Sequence, residues 1–113
     1  MEVLFIVKKR ISERVDIMFL HLGKECVIPL SDVIGIIDYK SLESDITKNF
    51  LDIAQEEGFL LKIVDKDIKS YVITEKIEKD KEGKEVRKSI IYCTNISANT
   101  LYKRSKKIYN VKY

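Results

Sequence analysis

The chain has 113 residues, 45% of them hydrophobic and 35% charged, with a formal net charge of +3. That length fits one domain, and so short a chain buries only about two-thirds of the surface it exposes when unfolded, which leaves apolar faces for a partner. The longest apolar runs, Val3–Val7 and Ile17–Leu20, fall far short of the roughly 20 residues a bilayer demands, and Lys8, Lys9 and Arg10 follow the first apolar run where a secretory signal would put its charges in front, so a cytoplasmic protein with no membrane association is expected.

Residues 1–17 read as a short strand, Glu2–Val7, followed by a polar stretch. The sequence from Met18 onward looks self-contained. Residues 1–17 are therefore an N-terminal extension, either an edge strand or residues ahead of a true start at Met18. Phe19–Leu22 and Glu25–Leu30 are strands joined at Gly23-Lys24 as a hairpin, with Pro29, which lacks an N–H, at an edge or strand end. Ser31-Asp32 turns the chain into Val33–Asp38, apolar on both faces and hence a buried strand; Gly35 and the β-branched run oppose a helix there.

A long helix is expected from about Leu42 to Glu57. Ile46, Phe50, Ile53 and Ala54 recur at helical spacing as one apolar stripe for packing across the sheet. Ser41 or Ser44 can cap its start, and Gly58 suits the left-handed position beyond its end. Phe59–Val64 and Ser70–Glu75 are further strands around the turn at residues 65–69. Residues 76–88, rich in charge and containing Gly83, form the exposed end of a long hairpin whose return strand is Ser89–Thr94. Ser97 is a good N-cap for a short C-terminal helix whose apolar side begins at Leu101. The fold class is thus α+β: a small mixed or antiparallel sheet of about five to six strands, one long packing helix and a short C-terminal helix. The domain spans residues 18–107 and a basic tail spans 108–113.

Charge is unevenly placed. Residues 18–96 carry twelve basic and fifteen acidic groups, whereas residues 97–113 carry five basic groups (Lys103, Arg104, Lys106, Lys107, Lys112) and no acid. A helix opening at Ser97 sets Thr100, Lys103, Arg104 and Lys107 on one face, where hydroxyl and cations can meet neighbouring phosphates. Tyr102 and Tyr109 add aromatic faces among them. The plainer reading is a solvated lysine-rich tail.

Nothing in the chain points to catalysis. His21, the single histidine, has no companions at matched spacing and reads as a strand residue. No phosphate-cradling glycine loop, nucleophile elbow or paired-carboxylate motif is present. Cys26 and Cys93 read as small buried hydrophobes, and two thiols with one histidine make a poor zinc set. No catalytic residue, cofactor or metal is expected.

Several segments resemble one family. They are Met18-Phe19-Leu20-His21-Leu22-Gly23, Val33-Ile34-Gly35-Ile36-Ile37-Asp38-Tyr39, Lys69-Ser70-Tyr71-Val72-Ile73-Thr74, Ile91-Tyr92, and Ile96-Ser97-Ala98-Asn99-Thr100-Leu101-Tyr102-Lys103-Arg104. In this order they resemble the RemA/RemB family of bacterial extracellular matrix regulators, most closely the RemB (YaaB) branch. The resemblance implies a small α+β subunit that assembles into rings and binds double-stranded DNA with little sequence preference to regulate biofilm-matrix genes. It further implies DNA-holding cations in two loops. Before Ser70–Glu75 this chain has Lys66 and Lys69; before Val33–Asp38 it has Ser31-Asp32, with no cation. The expected DNA-binding set is therefore Lys66, Lys69, Thr100, Lys103, Arg104, Lys106 and Lys107. The rival expectation is an interaction protein that does not bind DNA and modulates a RemA-like ring.

Overall fold

The computed structural model describes residues 3–5, 18–40 and 44–109, with side chains described for 18–40 and 44–105. Among the described residues the strands are β1 (Val3–Phe5), β2 (Phe19–Gly23), β3 (Cys26–Pro29), β4 (Val33–Asp38), β5 (Leu60–Lys62), β6 (Ser70–Lys79) and β7 (Glu85–Thr94); the helices are α1 (Asp45–Glu56) and α2 (Ala98–Tyr109). The main sheet has the order β4-β6-β7-β5, with β1 pairing antiparallel along the outer side of β4. β5 runs parallel to β7 and the other pairs are antiparallel, so the sheet is mixed. β2 and β3 form a separate antiparallel hairpin. The rest of the expected N-terminal extension, the tail beyond Tyr109, and the helix start at Leu42 with its alternative cap Ser41 lie outside the described residues.

Strand alternation sorts the core into two layers. Ile36, Val72 and Tyr92 lie side by side across β4, β6 and β7 and face the hairpin and α2. There they meet Leu20, Leu22, Ile28, Leu30, Val33, Ala98 and Leu101. The neighbouring row, Ile37, Tyr71 and Cys93, together with Ile73 and Ile91, faces α1 through Leu51 and Ala54. Hydroxyls tie the main sheet to the hairpin and to the segment before α2: Thr94 donates to the Leu22 carbonyl and Ser70 donates to the Ile96 carbonyl at 2.7 Å. Every buried side-chain nitrogen or oxygen among the described residues has a hydrogen-bond partner.

Several expectations are corrected, among them the single sheet of five to six strands: β2 and β3 stand apart as a sheet of their own. The hairpin turn lies at Lys24-Glu25, one residue later than expected, because Gly23 belongs to β2. Gly23 has φ +112, and a Cβ there would touch the Thr94 and Asn95 side chains, so glycine alone suits the position. The two helices are equal in length, 12 residues each, so the contrast of one long and one short helix is lost. The α1 stripe is also rearranged. The residues α1 buries are Thr47, Leu51 and Ala54, while Ile46, Phe50 and Ile53 are 76%, 44% and 58% exposed. The apolar arc of α1 is wider than one packing seam, and the sheet takes the half carrying the small residues, which lets helix and sheet approach closely.

β6 and β7 pair on past the end of β4 as far as Lys79 and Glu85, longer than the expected Ser70–Glu75 and Ser89–Thr94. This forms a two-stranded arm. Its tip is the expected turn: Asp80 Oδ1 accepts from the Glu82 and Lys84 amides, and Gly83 takes φ +81. Ion pairs lengthen the pairing, with Lys88 Nζ 2.9 Å from Glu78 and Arg87 donating to Glu75 at 3.0 Å.

Candidate nucleic-acid interface

Helix α2 begins where local chemistry dictates. The Thr100 amide donates to Ser97 Oγ at 3.2 Å, and the Ser97 hydroxyl donates to Thr100 Oγ1 at 2.8 Å. One orphan amide of the first turn is thereby capped. Ala98, Leu101 and Ser105, spaced i, i+3, i+7, form the buried face against β2 and β4. The Ser105 hydroxyl donates to the Tyr102 carbonyl at 2.6 Å, which removes the cost of burying it. With that face fixed, Thr100, Lys103 and Arg104 are turned to solvent together.

Arg104 is braced: its guanidinium donates to the His21 carbonyl of β2 at 3.3 Å and remains exposed. Its other N–H groups stay available for an anion. His21 is held by its own turn, Nε2–H donating to the Lys24 carbonyl at 2.8 Å, and acts as the strand residue its isolation implied. The backbone of Lys106 and Lys107 continues α2, so the expected i, i+3, i+4, i+7 register holds; their side chains, and that of Tyr109, lie outside the described residues.

Lys66 and Lys69 are exposed in the loop between β5 and β6. The two ends of that loop differ in what they touch. The Lys69 amide donates to the Thr94 carbonyl and its carbonyl accepts from the Tyr39 amide, so this residue is pinned beside the end of β7 from which α2 departs. Lys66 instead shares a hollow with Tyr39, Asp67, Ile68 and Tyr71, on the α1 side of the sheet. Lys69 is thus held by its backbone at the end of the sheet, and Lys66 belongs to the opposite side of the sheet from Lys103 and Arg104.

The remaining sequence candidates are structural. Cys93 is fully buried and Cys26 half-buried; burial pushes both thiols up, and Lys62 pulls Cys93 back only partly. Ser31 and Asp32 sit in a single 3-10 turn, Leu30–Asp32. Sequence reading missed the exposed half of α1. The width of its apolar arc, from Ile46 through Leu51 to Ala54, was the signal that could have revealed it.

A protein-family model described as RemA-like, extracellular matrix regulatory protein A-like, matches residues 19–104, about three-quarters of the chain. The chain belongs to the RemA-like family. A search of the curated proteins found no match. The RemA-like match covers the hairpin, the main sheet apart from β1, α1 and the first two turns of α2, and ends at Arg104. It therefore includes Lys66, Lys69, Thr100, Lys103 and Arg104, and it also includes the cation-free turn Ser31-Asp32. Asp32 lines a groove with Lys76, Glu78 and Lys88, between β3 and the arm. Among the described residues no helix is long and apolar enough to cross a membrane.

Proposed function

We propose that this RemA-like chain is an oligomeric, cytoplasmic DNA-binding regulator of extracellular-matrix (biofilm) genes, of the RemB branch, and that it works by binding, without catalysis. The observation that carries the reading is the braced outer face of α2. Buried Ala98, Leu101 and Ser105 hold Thr100, Lys103 and Arg104 outward as a set, and Lys107 follows in the same register. Cations ordered by the fold lose less freedom on binding phosphate than cations on a loose tail. A single face of this size neutralises few phosphates, so useful affinity needs several copies acting together. Ile46, Phe50 and Ile53 give the chain an exposed apolar strip of the kind self-association uses.

Replacing Lys103 and Arg104 together by Ala tests the reading in a gel shift with duplex DNA. The expected outcome is weaker binding to every sequence tried, since phosphate contacts carry no base information. Unchanged binding would remove α2 as the interface. A second reading, a partner that modulates a RemA-like ring without touching DNA, is favoured by one feature: Asp32 stands where the family's first loop would offer a cation. Co-purification with a RemA-like protein, together with indifference to Lys103→Ala and Arg104→Ala, would select it.

A further inference from the structure

Three adjacent strands set Lys62, Cys93 and Tyr71 in one row on the α1 face of the sheet. At strand spacing this row is roughly 10 Å wide. The next row, Leu60, Ile91 and Ile73, belongs to the core beneath α1. Cys93 and Tyr71 of the Lys62 row also meet α1 through Leu51 and Ala54, and the polar flank of α1, Lys48, Asp52 and Gln55, spaced i, i+4, i+7, lines the same hollow. Between flank and row lies a hollow of about 360 Å³, to which Leu51, Leu60 and Ile68 add apolar lining.

The chemistry of this hollow is uneven. Its floor is apolar and neutral, since burial pushes the Tyr71 phenol and the Cys93 thiol up and keeps both protonated near neutral pH. Its rim carries two lysines against one carboxylate. Neither Lys48 nor Lys62 has an ion-pair partner among the described residues. A concave apolar site with a few converging polar groups is the usual form of a small-molecule site, and this one lies near the lower end of their size range, roughly 300 Å³.

We propose that the hollow between α1 and the Lys62–Cys93–Tyr71 row binds a small anion carrying an apolar body, its charge held between Lys48 and Lys62. Ile68 precedes Lys69, whose amide is bonded to the Thr94 carbonyl at the β7 end that leads into α2, so an occupant pressing on Ile68 bears on the approach to α2. This regulatory half rests on the DNA-binding reading; the binding half does not.

The probe is 8-anilinonaphthalene-1-sulfonate, an aromatic sulfonate whose fluorescence rises in apolar surroundings, titrated into the full chain without DNA. Saturable binding with one site per chain is expected, displaced by octanoate and not by octylammonium. Lys48→Glu with Lys62→Glu, both exposed positions, should leave the thermal melt in place and weaken dye binding by about tenfold or more. Phe50→Ser, on the other flank of α1, should leave dye binding intact. Dye binding that survives the lysine changes and vanishes with Phe50→Ser would put the dye on the exposed strip and overturn the site, as would an absence of saturable binding. Octanoate should then shift the affinity for duplex DNA in the unaltered chain and not in the double variant. An unshifted DNA affinity would overturn the regulatory half. A chain that binds the dye and never binds DNA would keep the site and lose the DNA reading.

Discussion

Leu101 and Lys103 are two residues apart on α2 and do opposite work. Leu101 is fully buried among Leu20, Leu22 and Ile36, so Leu101→Ala should cost roughly 2–5 kcal/mol in urea denaturation. Lys103 is exposed, and Lys103→Ala should change stability by no more than about 0.5 kcal/mol while weakening DNA binding. A variant that lost both together would show that the cation supports the fold instead of serving the interface. Titration gives a second handle at this scale. Burial raises the pKa of Cys93, Cys26, Tyr71 and Tyr92 alike. For an acid whose folded-state pKa is raised, the stability is complete below the unfolded value and is lost as pH climbs toward the folded one. The melting temperature should therefore fall once pH passes the ordinary thiol range, about 8.5, and Cys93→Ala should flatten part of that slope.

Capping and pairing act at the scale of elements. Ser97→Ala removes the acceptor of the Thr100 amide and should cost about 1 kcal/mol, read from the same denaturation curves. On the arm, the Lys88 hydrogen bond and charge hold the Glu78 carboxyl below the ordinary glutamate range. Lys88→Gln should let its pKa rise, as followed by carboxyl carbon chemical shifts against pH; an unmoved titration would mean the pair is absent in solution. These features differ in how far the sequence revealed them. The α2 cap was legible because serine, its turn and Leu101 lie within five residues of one another. The hairpin end around Gly83 was legible for the same local reason. The buried half of α1 was not, because Ile46, Thr47, Phe50, Leu51, Ile53 and Ala54 together span an arc that either half could satisfy. Which half packs is decided by Tyr71, Ile91 and Cys93, far away in sequence. The parallel pairing of β5 with β7 is likewise a long-range outcome, and no residue of Leu60–Lys62 announces it. The cations Lys103 and Arg104 were visible in the composition of the last seventeen residues. Lys62 and Lys48 were not visible as a pair, since only sheet register and helix phase bring them to one hollow.

The whole molecule presents its surfaces unevenly: cations along the outer face of α2, and an apolar strip on α1 across the sheet from it. On the proposed function, copies would associate through one side and keep the other free for a polyanion, which is how a weak single face gains affinity. Phe50→Asp should therefore reduce the mass of the solution species in light scattering while leaving the far-ultraviolet circular dichroism unchanged. The central claim is that ordered cations on several copies engage phosphates together. Fluorescence anisotropy of labelled duplex DNA across a salt series, with the mass of the protein species measured in each buffer, tests it most directly. The account predicts a linear fall of log affinity with log salt, with a slope of about −0.9 for each phosphate neutralised, shallower for Lys103→Ala with Arg104→Ala. No binding at the lowest salt by an intact oligomer would contradict it.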